Sequence, residues 1–158
     1  MKEIPFEVIL MNILVDADAC PVVDTIVETA KTCDTPVILV KSHDHYSKDI
    51  FPSHVKTIYV DPGFDASDYK IIKLADANDI VVTQDYGLAA LLLTKKCHVI
   101  HHNGFLFTED NIDRFLLTRH LSAQMRRAGQ RTKGPKPYTN ENRNKFKALL
   151  FKIICSQK

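Results

Sequence analysis

Asp16 and Asp18 stand two residues apart where the apolar run Asn12-Ile13-Leu14-Val15 stops, a spacing that puts both carboxylates on one face at the end of a short buried strand. Two anions held that close repel unless a proton or a cation sits between them. Acids recur behind other apolar runs: Asp61, Asp65 and Asp68 follow residues 57–60, and Asp85 closes Thr83-Gln84-Asp85. Carboxylate oxygens at one locus suit Mg2+ or Mn2+, which take a few protein oxygens and complete the shell with water and substrate phosphate. Such an ion activates water and neutralises charge developing in phosphodiester cleavage. Asp16 and Asp85 are the leading ligand candidates, with Asp18, Asp65 and Asp68 beside them. The competing role for these acids is to cap a nearby helix or to lie in solvent. Asp61, directly before Pro62, reads as a turn residue.

Short β-branched runs alternate with helical patterns, and they decide where these acids fall. Strands are expected at 13–15, 37–40, 57–60, 80–83 and 98–101. Pro21 opens a first helix carrying Val22, Val23, Ile26, Val27 and Ala30 on one face. A second begins near Ser67 and buries Ile71, Ile72, Leu74 and Ala75, and a third covers 86–95 with Leu88, Leu91 and Leu92 inward. Residues 41–54 are polar and read as a long loop, and Asn103-Gly104 reads as a turn. A helix over about 109–128, capped by Thr108 and stopped by Gly129, precedes a Gly/Pro loop and a last helix over about 141–155. That last helix puts Phe146, Leu149, Leu150, Ile153 and Ile154 on one stripe.

Strands separated by helices imply crossovers and a mainly parallel sheet of four or five strands inside a three-layer α/β sandwich. Open parallel sheets bind ligands outside the carboxyl ends of their strands, and Asp16, Asp18, Asp61, Asp65, Asp68 and Asp85 all follow a strand. Asp79 precedes its strand and is separated from Asp85 by the whole of it, so it belongs roughly 20 Å away at the opposite edge as a cap or turn residue.

With 158 residues, 45% hydrophobic and 25% charged, the composition fits one globular domain with a real core. No segment approaches the roughly 18 apolar residues of a membrane span. The first ten residues lack the pattern of a secretory signal, which points to the cytoplasm, and they are read as an extension before a domain opening at Met11. Cys20, Cys33, Cys97 and Cys155 form no C-x-x-C pair, which suggests free thiols rather than a zinc site or a disulfide framework.

The net charge of +2 hides an asymmetry. Residues 1–110 hold 9 Lys and Arg against 17 Asp and Glu, a net of −8, whereas residues 111–158 hold 12 against 2, a net of +10. An acidic cluster that holds metal beside a basic surface that holds phosphate is one account of that split; solvated helical faces are the other. Arg126, Arg127, Arg131, Lys133 and Lys136 flank a loop suited to RNA phosphates, with Tyr138 as its aromatic residue.

Asp16-Ala17-Asp18-Ala19-Cys20-Pro21, Gly63-Phe64-Asp65-Ala66-Ser67-Asp68 with Ile71, Asp79-Ile80-Val81-Val82-Thr83-Gln84-Asp85 with Leu88-Ala89, and Arg127-Ala128-Gly129, Thr132, Gly134-Pro135 and Arg143 through Phe146 resemble the bacterial YaiI/YqxD family. The resemblance covers essentially everything from Met11 onward. The family is functionally uncharacterised, and in fold and acid placement it distantly resembles PIN-like nucleases. That resemblance implies a Mg2+ or Mn2+ ribonuclease-like site with Asp16 on the first strand, Asp65 or Asp68 on the middle helix and Asp85 in a Thr-x-Asp element. This chain departs from the family pattern at Asn78-Asp79, where Gly-Asp is usual, and at His102-Asn103, where Asn-Pro is usual; neither falls on a proposed ligand.

Two other functions fit some of the same residues. Asp16-x-Asp18 after a hydrophobic strand also resembles the nucleophile motif of haloacid-dehalogenase-type phosphatases, although later acids in that superfamily follow one strand closely, whereas Asp79 and Asp85 bracket one. A non-catalytic RNA-binding protein with a structural ion is the third reading. His43-Asp44-His45 could supply imidazole ligands but is expected to be solvated, and His101-His102 ends a strand at the acidic edge. Cys20 precedes a helix where a lowered thiol pKa is conceivable, but it has no evident catalytic partner and is read as packing. The expectation is a single PIN-like α/β domain over residues 11–158 with a basic helical portion from about 109, hydrolysing RNA phosphodiesters with a divalent ion.

Overall fold

A computed structural model describes residues 11–43, 48–63, 65–134 and 136–157. The expected extension over residues 1–10, and the Asp44-His45 part of the histidine-rich motif, lie outside the described residues. Among the described residues β1 (Ile13–Asp16), β2 (Val37–Ser42), β3 (Val55–Val60), β4 (Ile80–Val82), β5 (His98–His101) and β6 (Phe105–Leu106) form one sheet ordered β3-β2-β1-β4-β5-β6. The first five pair in parallel, and β6 lies antiparallel to β5. The expected strand number of four or five is thereby corrected to six. β6 is two residues long, too short to show the alternation that marks a strand in sequence.

Among the described residues five helices cover the two faces: α1 (Val23–Thr32), α2 (Ala66–Leu74), α3 (Tyr86–Thr94), α4 (Glu109–Arg127) and α5 (Asn140–Gln157). Strand side chains alternate between faces, so neighbouring residues feed different cores. Ile13 and Val15 pack with Val22, Ile26 and Ala30 of the first helical segment and with Phe146, Leu150 and Ile154 of α5. Leu14, Val81 and Val99 pack on the other face with Ile71, Leu88, Leu92 and Ile112 from α2, α3 and α4. The molecule is a three-layer α/β sandwich. No described helix is long and apolar enough to cross a membrane.

Three local readings change. α1 starts at Val23 rather than Pro21, because Pro21 and Val22 form a turn leading into it. Residues 41 and 42, expected in the polar loop, extend β2 and pair with Tyr59 and Val60 of β3. Leu91, expected inward, is 54% exposed. α3 is apolar around its whole circumference, so periodicity alone could not choose its buried side; Leu88 and Leu92 are buried as expected, and tertiary packing takes Ala89 rather than Leu91.

Among the described turns whose backbone enters the left-handed region are those at Asn78 and Gly104. Asn78, standing where the resembled family usually has glycine, sits at φ 73°, a conformation asparagine tolerates better than most residues. Gly104, between β5 and β6, has φ +91°, and a Cβ there would lie 2.6 Å from the Lys145 Cβ and 2.7 Å from the Phe146 backbone nitrogen. α5 can close over this turn only because the position is glycine.

Candidate functional site

In this strand order the connections change direction between β1 and β4, and the carboxyl ends of those two neighbours frame the crevice where open α/β sheets bind ligands. Asp16 is the last residue of β1, and Asp85 follows β4 by three residues as the N-cap of α3. β2 and β3 lie on the far side of β1, and the chain leaving β3 turns through Asp61-Pro62-Gly63 into α2, bringing Asp65 and Asp68 across. Asp16, Asp18, Asp65, Asp68 and Asp85 consequently line a single open cleft of about 270 Å3, with Asp61 and Ser42 at its wall. Asp61 is almost fully exposed in its turn, 3.7 Å from the His43 Nε2.

Thr83 joins the two arms of the site. Its buried hydroxyl donates to Asp16 Oδ2 at 3.1 Å while accepting from the Asp85 backbone N–H at 3.0 Å. One side chain therefore fixes the direction of the first-strand acid and the turn that presents the fourth-strand acid. Asp18 Oδ1 accepts from the Ser42 backbone N–H at 2.9 Å, tying the loop after β1 to the end of β2. Asp85 Oδ1 accepts from Leu88 N–H at 3.0 Å, so this acid both caps α3 and faces the cleft. Asp65 occupies the N-cap position of α2 at φ 61° without a side-chain cap bond.

The electrostatics are those of anions placed together. Burial raises the Asp16 carboxyl, the Thr83 hydroxyl pulls it back, and the charges of Asp18 and Asp85 raise it further. Asp68 is pushed up to about 7, first by burial and then by the charges of Asp85, Asp16 and Asp65, with a hydrogen bond to Asp85 favouring its protonated form. A divalent cation would remove the same repulsion without the proton. Among the described residues no group of three or more His, Cys, Asp or Glu side chains stands ready-assembled to hold an ion. The all-carboxylate donor set nevertheless fits a hard cation that takes one or two protein oxygens and keeps several waters.

Arg119 was not anticipated as part of this locus. It reaches from α4 to within 3.7 Å of Asp85 Oδ1, and Gly87 leaves it room: a Cβ there would meet the Arg119 Nη1 at 3.0 Å and Asp85 Oδ1 at 3.3 Å. In sequence it is one cation on a solvated helix, and nothing local links it to an aspartate 34 positions away. Thr83 did have a signal, the Thr-x-Asp pattern at the end of an apolar run. Of the basic residues singled out, Lys136 lines a neighbouring cavity. Arg126, Arg127, Arg131 and Lys133 are exposed and line neither that cavity nor the aspartate cleft.

Asp79 stands where expected, at the amino end of β4. Its Oδ1 accepts from Asn12 N–H and its Oδ2 from Asp76 N–H, both at 2.9 Å. Burial pushes the Cys20 thiol up to about 11, the opposite of an activated nucleophile, and its packing against the core agrees with a structural role. His101 is buried and held neutral, its pKa lowered to about 4 by desolvation and then by His102.

Residues 14–156 match a family described as "Uncharacterized BCR, YaiI/YqxD family". A UPF0178 protein of Bacillus cereus is 56% identical over 145 residues, covering 92% of this chain and 99% of the relative. A UPF0178 protein of Bacillus anthracis is 55% identical with the same coverage. One from Bacillus thuringiensis subsp. konkukian is 55% identical over 144 residues, covering 91% and 99%. No solved structure matches the chain.

Proposed function

The chain belongs to the YaiI/YqxD family, and from that premise we propose that it is a divalent-metal-dependent hydrolase of RNA phosphodiesters working at the aspartate cleft. The observation that carries this reading is the convergence of Asp16, Asp18, Asp65, Asp68 and Asp85, from three separate stretches of chain, on one cleft at the sheet's switch point. Mg2+ or Mn2+ would be held by one or two of Asp16, Asp18, Asp65, Asp68 and Asp85 directly and by the others through water. The bound ion would supply an activated water and neutralise charge on the scissile phosphate. Thr83 keeps Asp16 turned into the cleft, which limits the reorganisation needed on binding. Arg119, half-exposed beside Asp85, offers a guanidinium to a phosphate oxygen. Arg126, Arg127, Arg131, Lys133 and Lys136 would hold the backbone phosphates of the RNA on either side, with little base preference of their own.

Calorimetric titration of Mn2+ into the wild type and Asp16→Asn, followed by a cleavage assay on labelled single-stranded RNA with the same samples, tests the reading. The wild type should bind the ion and cleave, and the variant should keep its RNA affinity while losing both. Wild-type protein that takes up no Mn2+, or cleavage that survives Asp16→Asn, overturns it. A phospho-aspartate at Asp16 would transfer the site to phosphatase chemistry. Ion binding without cleavage would leave a non-catalytic RNA-binding protein.

A further inference from the structure

Gln84 and Tyr86 bracket Asp85 in sequence, and both line a second cavity of about 680 Å3 on the β5 side of β4. The aspartate cleft lies on the other side of Asp85. The walls of this cavity are unlike those of the cleft. His101, His102, Tyr86 and Tyr138 supply aromatic rings, and among the described residues no carboxylate lines it. The rings form a braced stack: His101 lies on Phe105 at 4.6 Å and 12°, His102 meets His101 at 4.3 Å, and Tyr138 meets His102 edge-on at 5.5 Å and 73°. The Tyr138 hydroxyl donates to the His102 carbonyl at 2.7 Å, which holds the loop before α5 against the end of β5. His101 Nδ1 accepts from the Asn103 N–H, so in the neutral ring the proton sits on Nε2. Desolvation lowers the pKa of both histidines, so at neutral pH both rings are uncharged, with the buried His101 backing the half-buried His102.

Polar groups at the rim are mostly donors. Asn142 Oδ1 already accepts from the Thr139 N–H and hydroxyl, which leaves its amide N–H groups to offer, and Lys136 adds an ammonium. Gln84 is exposed and carries an amide able to donate and accept. The volume lies within the range of small-molecule sites. A flat ring with polar edges fits such a cavity, and a phosphate alone would leave its aromatic walls without a partner.

We propose that this cavity is a nucleobase subsite, taking one unpaired base of a single-stranded RNA against His102 and Tyr138 when the adjoining phosphodiester lies in the aspartate cleft. It rests on the hydrolase reading for the identity of the strand, and it deepens that reading by naming the substrate class. A base in a duplex is stacked on both faces and paired along one edge and is not available to this cavity, so the preferred substrate is single-stranded.

Equilibrium binding in EDTA separates the subsite from catalysis. The probes are a short labelled single-stranded oligoribonucleotide, its abasic counterpart of equal length, and a blunt duplex of the same sequence. Wild-type protein should bind the normal strand about tenfold more tightly than the abasic strand, the order expected for stacking one base. His102→Ala should erase that difference while leaving abasic affinity unchanged. Gln84→Ala, at an exposed position that does not threaten folding, should reduce it about threefold. Asp16→Asn should leave it intact. Equal wild-type affinity for normal and abasic strands, or preference for the duplex, overturns the subsite. Metal-dependent cleavage together with equal affinities would sink the subsite and leave the hydrolase standing; base discrimination without cleavage would do the reverse.

Discussion

Asp79 and Asp16 are aspartates at opposite edges of the same two neighbouring strands, and burial raises the carboxyl pKa of both. Their partners differ. Both oxygens of Asp79 accept backbone N–H groups, from Asn12 and Asp76, and those bonds together with Lys95 pull its pKa back. Asp16 has one hydroxyl bond and faces Asp18 and Asp85, which push its pKa further up. At the amino edge the fold has already compensated the acid. At the carboxyl edge it has gathered acids that raise one another's pKa, with Arg119 as the cation beside Asp85. A buried acid is thus informative about function only when its partners are known.

The sharpest way to break this contrast is to remove each acid. Asp79→Ala leaves two backbone donors without acceptors and should cost about 3 kcal/mol, lowering Tm by about 6–12 °C, with divalent affinity unchanged. Thermal melts with and without Mn2+ check both halves. Asp16→Asn should show the opposite pattern: a Tm close to the wild type's and at least a tenfold loss of Mn2+ affinity by calorimetry, about 1.4 kcal/mol. If Asp16→Asn unfolds the protein while Asp79→Ala leaves it stable, the assignment of structural and functional edges is inverted.

The pH dependence sharpens the comparison. Between the ordinary value of 3.8 and the raised value of about 7, folded Asp68 holds a proton that the unfolded chain has released. Stability without divalent ion should therefore fall as pH rises through that window and level off above it. The side chain is partly solvated, so the effect should be a few degrees of Tm at most. Millimolar Mg2+ should cancel it, and Asp68→Asn should remove the Asp68 share of what Mg2+ cancels while leaving the contributions of Asp16 and of Asp79, whose donors are internal. A Tm that rises between pH 4 and 7 in EDTA would contradict this account. The smallest expected effect is at Gly87→Ala. The added Cβ meets only the tip of a flexible arginine and one Asp85 oxygen, so stability should change by about 0.5 kcal/mol or less. Displacing Arg119 should shift RNA affinity and its salt dependence in a filter-binding titration.

Much of the scaffold was legible because its signals are local. β5 falls on residues 98–101 as expected, and α4 ends at Arg127, one residue short of the expected 128. The apolar stripe of α5 is the one that packs on β1 and β4. The acids could be placed by counting along the chain, since a residue after a parallel strand is at its carboxyl edge and Asp79, before β4, is not. β6 leaves no sequence signal because two residues carry no period, and the exposure of Leu91 is not legible because a helix apolar on all sides does not announce its inner face.

By itself, the order of residues determined which acids stand at which strand end, since alternation, strand length and chain direction are properties of a local segment. It also determined that the C-terminal third of the chain is basic and the rest acidic. Only the tertiary structure decided that β1 and β4 are neighbours, that a single threonine hydroxyl bridges Asp16 to Asp85, and that Arg119 and the His101-His102 cavity flank the cleft. Those relations join residues tens of positions apart, and they exist because burying both faces of one sheet leaves few ways to order its strands.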